Sequence, residues 1–263
     1  MKTNNLFSFQ RFILLARQSL IINKKLIAIA LISYSGMLFL VLFLFQSMNN
    51  FRWNDHDTIV TFIILFLSLG IISSSLSYPA FRSKEKSSTY LLLPASALEK
   101  YLFEILTRII VFIIVYPVLF WLVANLEGAV VHHYVERLTS YTFSFGQAYS
   151  DFTKYLEKTE GARFLVIQVA MFAFIAVFTG ASHFTKSPLL KTLFTFSIII
   201  VGYYLFVFLL VKGLNIIEYS PRNQTILFIN FRDHQAIFFA TALTVINLCL
   251  LTIAWFTLKE KEV

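Results

Sequence analysis

Apolar stretches of about 20 residues recur six times along the chain, and most of the charge collects in the segments between them. They cover residues 26–45, 58–78, 102–126, 163–184, 192–211 and 236–258. A helix rises about 1.5 Å per residue, so each stretch matches the roughly 30 Å hydrocarbon thickness of a bilayer. Strands of a membrane barrel would alternate polar and apolar residues over about 10 positions. None of these stretches alternates. The pattern predicts an all-α integral membrane protein with six transmembrane helices.

A second period precedes the first span. Gln10 and Arg11, Arg17 and Gln18, then Lys24 and Lys25 return every seven residues, while Phe9, Phe12, Ile13, Leu20 and Ile21 fill the remaining face. This predicts an amphipathic helix within residues 1–25, lying along the membrane surface with its basic edge toward lipid phosphates or a cytoplasmic partner. No acidic residue precedes Asp55, a bias shared with transit peptides. The first span, however, is too long for a signal core and no small-residue cleavage site follows it. The segment is therefore read as part of the working protein.

Composition agrees with the pattern. Apolar residues make up 58% and charged residues 14%, with mean hydropathy +0.74, against about 45 to 50% and about 25% in soluble domains. Too few charges remain to cover a soluble surface. Disorder is excluded by 30 Phe, 12 Tyr and 3 Trp beside 8 Gly and 5 Pro. The formal charge of +8 is informative through its placement. Thirteen Lys and Arg flank the spans on one side: Lys2, Arg11, Arg17, Lys24 and Lys25; Arg82, Lys84, Lys86 and Lys100; Lys186 and Lys191; Lys259 and Lys261. Seven lie on the other: Arg52; Arg137, Lys154 and Lys158; Lys212, Arg222 and Arg232. Positive residues are retained inside, so both termini are expected in the cytoplasm. Nucleic-acid binding is not expected, because the aromatic residues sit inside apolar runs rather than among exposed basic ones. The single Cys249 excludes an intrachain disulfide and any cysteine-rich metal site.

No repeat or low-complexity linker divides residues 1–263, which are read as one membrane domain with a cytoplasmic loop at 79–101 and a long external loop at 127–161. The external loop carries Glu127, Glu136, Asp151, Glu157 and Glu160. Its length exceeds that of ordinary structureless connections, and Phe143, Phe145, Tyr149, Phe152, Tyr155 and Leu156 offer apolar material for a small cap.

Catalytic chemistry is hard to place. Residues 180–187, GASHFTKS, approach a phosphate-binding loop, but Thr185 stands where the second glycine is needed and no strand precedes it. His132 and His133 are adjacent and cannot both face one ion without ligands from elsewhere. No Ser lies in a nucleophile motif. The chain is expected to be no enzyme and to hold no metal or cofactor of its own; an intramembrane enzyme would need a deep polar cluster, for which only scattered Gln168 and Asn247 are available. The span interiors lack Asp, Glu, Lys and Arg, apart from Glu104 and Arg108, whose i,i+4 spacing suits an ion pair near the cytoplasmic interface. Gly70, Ser73, Ser74 and Ser77 form a small-residue face, read first as helix packing and second as a pathway lining. Pro117 is expected to bend the third span.

The most specific stretch is 81–100, FRSKEKSSTYLLLPASALEK. Ser96 and Glu99 have capping-box spacing, and Pro94 keeps Leu93 out of the helix that follows. Leu91, Leu92 and Leu93 face either lipid or a protein. Here the chain resembles the permease subunits of bacterial type-2 ABC exporters, in which a charged loop runs into LPxSxxEK, present as Leu93, Pro94, Ser96, Glu99 and Lys100. The resemblance is strongest over about 30 residues of this loop and extends as topology to the whole chain. It implies that residues 82–100, with Arg82, Lys84, Glu85, Lys86, Leu93, Pro94, Ser96, Glu99 and Lys100, contact separate ABC ATPase subunits that carry ATP and Mg. It also implies a second permease subunit, identical or homologous, and residence in the bacterial inner membrane. Better-known relatives place their main external structure between spans 5 and 6, whereas here the loop between spans 3 and 4 is longer. A non-transport anchor that recruits a cytoplasmic complex through the same loop is the other reading.

Overall fold

The computed structural model describes residues 7–48, 55–82, 90, 95–134, 143–146, 150, 161–213 and 233–262. These are helical throughout apart from short turns, with no strand among the described residues. Helix α1 is Phe9–Met48 and α2 is Asp55–Ser75; a single 3-10 turn, Pro79–Arg82, follows. Helix α3, Ala97–Ile105, passes through a π turn, Leu106–Ile110, into α4, Val111–Tyr134, so that the three form one rod. Helices α5, Ala162–His183, α6, Pro188–Gly213, and α7, Asp233–Glu262, complete the bundle. Six helices are long and apolar enough to cross a membrane, and the chain is a multi-pass membrane protein.

Two boundaries differ from expectation. The segment at 1–25 was expected to be a helix separate from the first span, yet α1 continues through Lys24 and Lys25 for 40 residues, about 60 Å. Residues 9–35 contain no Gly or Pro, and two lysines do not interrupt a helix. The third span likewise starts five residues earlier than expected and runs past Leu126 to Tyr134. Pro117 sits inside α4 without ending it. Besides the bond that the missing proline N–H removes, a wider turn lies earlier, at the π turn, where the Val111 N–H reaches the Leu106 carbonyl.

Lipid gives two apolar helices no hydrophobic reason to meet, so close packing and polar contacts hold the bundle. Aromatic rings supply much of the packing. Phe62 meets Phe120 and Tyr116 at centroid distances of 5.0 and 5.3 Å, and Phe66 meets Phe174 at 5.4 Å and Phe112 at 5.6 Å. These rings join two buried clusters. One gathers Leu38, Leu42, Ile59, Tyr116 and Phe120 from α1, α2 and α4. The other gathers Tyr78, Tyr101, Phe174, Phe178 and Leu258, close to the end of the bundle where α1 begins and α7 finishes, called the basal end below. At the opposite end, Phe143 is buried against Phe120, and Phe145 packs on Phe62 and Phe143. Two of the aromatics expected in a cap are thus seated on the bundle; the rest of that group lies outside the described residues.

The small-residue face of α2 is filled by neighbours. A Cβ added at Gly70 would collide with the Phe174 ring and come within 2.9 Å of Phe112. The Ser73 hydroxyl donates to the Arg108 carbonyl at 3.0 Å, on the π turn, and Ser74 and Ser77 are buried. This supports the packing reading. Gly70→Ala is expected to lower stability by about 1 to 3 kcal/mol through overpacking. Thermal unfolding in detergent checks it: an unchanged midpoint would mean that the Phe174 ring moves aside freely.

Candidate functional site

The loop between α2 and α3 is framed by two flanks that the structure describes well. Its ascending flank leaves α2 through Tyr78, a non-glycine residue with φ of +52°. That backbone costs about 1 kcal/mol or more. The buried Tyr78 ring offsets it, packed 5.3 Å from Phe178 and 6.1 Å from Phe81. The Tyr78 N–H donates to Glu104 Oε2 at 3.3 Å, and Glu104 also meets Arg108 Nε at 3.5 Å. The i,i+4 pair expected from sequence is formed, and it does more than anchor its own helix, because Glu104 reaches across to the end of α2. Burial, then the neighbouring Glu104 charge, pushes the Tyr78 hydroxyl up from its ordinary pKa. Its Oη has no hydrogen-bond partner among the described residues.

Two further contacts fix the 3-10 turn. Arg82 donates to the Ser75 carbonyl at 2.8 Å, at the C-terminal end of α2, where the helix dipole favours a cation. Lys261, near the end of α7, lies 4.9 Å over the Phe81 ring and donates to the Ser182 carbonyl of α5 at 2.6 Å. Three helices therefore converge on this short turn.

The descending flank is the start of α3. Its capping box is complete: the Glu99 N–H donates to Ser96 Oγ at 3.3 Å, and the Ser96 N–H donates to Glu99 Oε2 at 2.9 Å. The other oxygen of Glu99 accepts from the Ser8 N–H at 2.7 Å and meets Arg11 at 3.0 Å. Glu99 is 0% exposed, and charge-assisted bonds of this kind are about twice as strong as neutral ones. One carboxylate thus closes its own helix and ties down the beginning of α1. Lys100 is also buried, 5.3 Å over the Tyr90 ring. The Tyr101 hydroxyl donates to the Leu251 carbonyl of α7 at 2.7 Å.

Of the loop residues expected to contact a partner, Arg82, Ser96, Glu99 and Lys100 are brought together on these flanks, and the first three hold the protein's own helices. Lys84, Glu85, Lys86, Leu93 and Pro94 lie outside the described residues. Pro117 lies in α4 and Gly70 on α2, away from this cluster, whereas Ser73 touches it through the Arg108 carbonyl. Sequence reading missed the roles of Ser8, Arg11, Tyr78 and Lys261. It also placed Glu127 in the external loop, while the structure puts it in α4, 1% exposed, accepting from Gln46 of α1 at 2.8 Å. Its position continues the buried stripe of Tyr116, Phe120 and Val123, a spacing that was visible in the sequence.

Glu99→Ala is expected to cost about 2 to 4 kcal/mol, by loss of the cap and withdrawal of the carboxylate from Arg11. Trypsin cleavage after Arg11 and Arg17 is expected to accelerate, while Glu99→Gln, whose single oxygen still accepts from one of the two N–H groups, falls between. Equal cleavage rates in the three proteins would show that the start of α1 is held by something else. Tyr78→Phe removes only a buried hydroxyl with no partner among the described residues and is expected to leave the unfolding midpoint unchanged or raised; a clear drop would reveal a partner for that oxygen.

No family model matches the chain, and no curated protein or solved structure shows significant similarity to it.

Proposed function

We propose that this chain is the transmembrane subunit of an ATP-driven exporter of the type-2 ABC class, worked by a separate ATPase through the loop between α2 and α3. The observation that supports this reading is the mechanical setting of that loop. Its ascending flank is fastened to α2, α3, α5 and α7 by Arg82, Glu104 and Lys261, and its descending flank to α1 and α7 by Glu99 and Tyr101. A displacement applied to residues 83–94 would be delivered to α1, α2, α5 and α7 together. Such a connection suits a rigid-body transition and is more than a passive tether needs. The distribution of Lys and Arg supports a cytoplasmic position for the basal end, and the LPxSxxEK likeness at 93–100 supports the class of partner.

In this reading two permease subunits, identical or homologous, form the pathway in a bacterial inner membrane, and the ATPase subunits bind ATP and Mg. The first turns of α1 lie at the cytoplasmic surface. The chain itself performs no covalent chemistry; its work is to change the relative position of two bundles. The test is to look for an ABC ATPase that co-purifies with the chain, to reconstitute the two and to measure hydrolysis; finding none would count against the reading. Deleting residues 82–86 is expected to lower the rate at least about tenfold while ATP binding by the partner is retained. An ATPase that associates yet hydrolyses at the same rate with and without residues 82–86 would favour the anchor reading. A loop reachable by impermeant reagents only from outside would exclude both.

A further inference from the structure

Nearly three turns of α1 stand clear of the other described residues. Every residue from Leu20 to Ile29 is exposed, whereas a helix packed on a neighbour shields at least one face. Yet α1 is fastened on both sides of this stretch. Toward its start, Leu15 is buried and Arg11 holds Glu99; toward its end, Leu38 and Leu42 enter the core and Gln46 reaches Glu127. The path lengths explain the stand-off. From Ser8 to Gln46 the helix covers about 57 Å, but the rod from Glu99 to Glu127 covers about 42 Å. A helix joined to the rod at both points is the longer path, and that excess, less what the side chains at the two joints take up, leaves it room to stand off between them.

The arch has a definite chemistry. Its outward side chains are mostly aliphatic, its only charges are Lys24 and Lys25, and no acid precedes Asp55 in the chain. On the rod between the two fastening points, Leu106 and Ile110 of the π turn are also exposed. Two adjacent ammonium groups at the edge of an aliphatic span match a phosphate at the headgroup level with a chain beneath it. We propose that the arch of α1 is a binding site for an anionic phospholipid, whose acyl chain lies between the arch and the Leu106–Ile110 turn and whose phosphate is held by Lys24 and Lys25. A zwitterionic lipid fills the apolar part equally well, so selectivity falls on the two lysines. The site is independent of the transport reading.

The test uses the full chain with the exposed Cys249 replaced by Ser and a fluorophore on Leu106→Cys, on the π turn between the two fastening points. The vesicles contain phosphatidylcholine and phosphatidylglycerol in equal parts, with a nitroxide on the acyl chain of one lipid or the other. Nitroxide phosphatidylglycerol is expected to quench about threefold more strongly or better than nitroxide phosphatidylcholine. Lys24→Gln with Lys25→Gln brings the ratio to one, Lys24→Arg with Lys25→Arg restores it, and a label at the exposed Leu205 on α6 gives a ratio of one throughout. Excess inorganic phosphate leaves the preference intact. A ratio of one at Leu106→Cys in the otherwise unaltered chain, a preference indifferent to loss of the lysines, or its abolition by free phosphate would overturn the proposal. So would a label shielded from both lipids, which would put a protein under the arch. Should the Gln variant fail to insert, the Arg variant and the Leu205 comparison still decide.

Discussion

In a hydrocarbon solvent, helices gain nothing from hiding apolar surface from one another, and that constraint governs this structure. What holds the bundle is close contact and the few polar groups that have no better partner than each other. Both are concentrated. Rings from α2, α4 and α5 fill the interior in edge and stacked pairs, and buried carboxylates lie toward the two ends of the rod, Glu99 and Glu104 basally and Glu127 at the other end. An uncompensated buried charge is so costly that each of these groups fixes the position of the groups around it. Glu99 does this for the first residues of α1, and Glu104 for the backbone at Tyr78.

The distribution of rigidity follows. Helices α5 and α7 are sewn together by the Thr179 hydroxyl on the Leu250 carbonyl, by Asn247 on Gln168 and by Lys261 on Ser182. Helix α6, in contrast, exposes most of its described side chains and approaches α5 closely at Gly180, where only a hydrogen leaves room for Thr192. The chain thus combines a stiff basal frame around the loop between α2 and α3 with two loosely held helices, α1 in its middle and α6 along most of its course. That contrast is what a molecule needs if a force is to enter at one place and be relieved at another.

Much of this was legible in the residues. Length and hydropathy alone locate six spans, because the bilayer imposes the scale. The SxxE spacing locates the start of α3, since a capping box is a local device closed within one turn. The Glu104–Arg108 pair was readable for the same reason. Contacts between segments distant in sequence were not: nothing near Glu99 announces that Ser8 and Arg11, about 90 residues away, share its carboxylate. Lys261 reads as a terminal positive charge until the Phe81 ring is beneath it. Glu127 was misplaced because a charge was taken to end the span, although the buried stripe running through Tyr116, Phe120 and Val123 already pointed to it. Many rings of the Phe-rich spans prove to be internal packing, which hydropathy alone does not distinguish from lipid contact.

The π turn at Leu106–Ile110 sets the phase between two parts of one rod. Below it, the helix presents Glu99 and Glu104 to α1 and α2; above it, Tyr116, Phe120 and Glu127 face the upper core. A residue inserted into an α-helix rotates everything beyond it by about 100°, and the wider turn absorbs that rotation. Losing one residue there would restore regular bonding and leave the upper half close to its present alignment, whereas losing one residue from a regular turn elsewhere in the rod would swing everything beyond it by about 100°. The π turn is thus the place in the rod where a change in residue count disturbs the partners least.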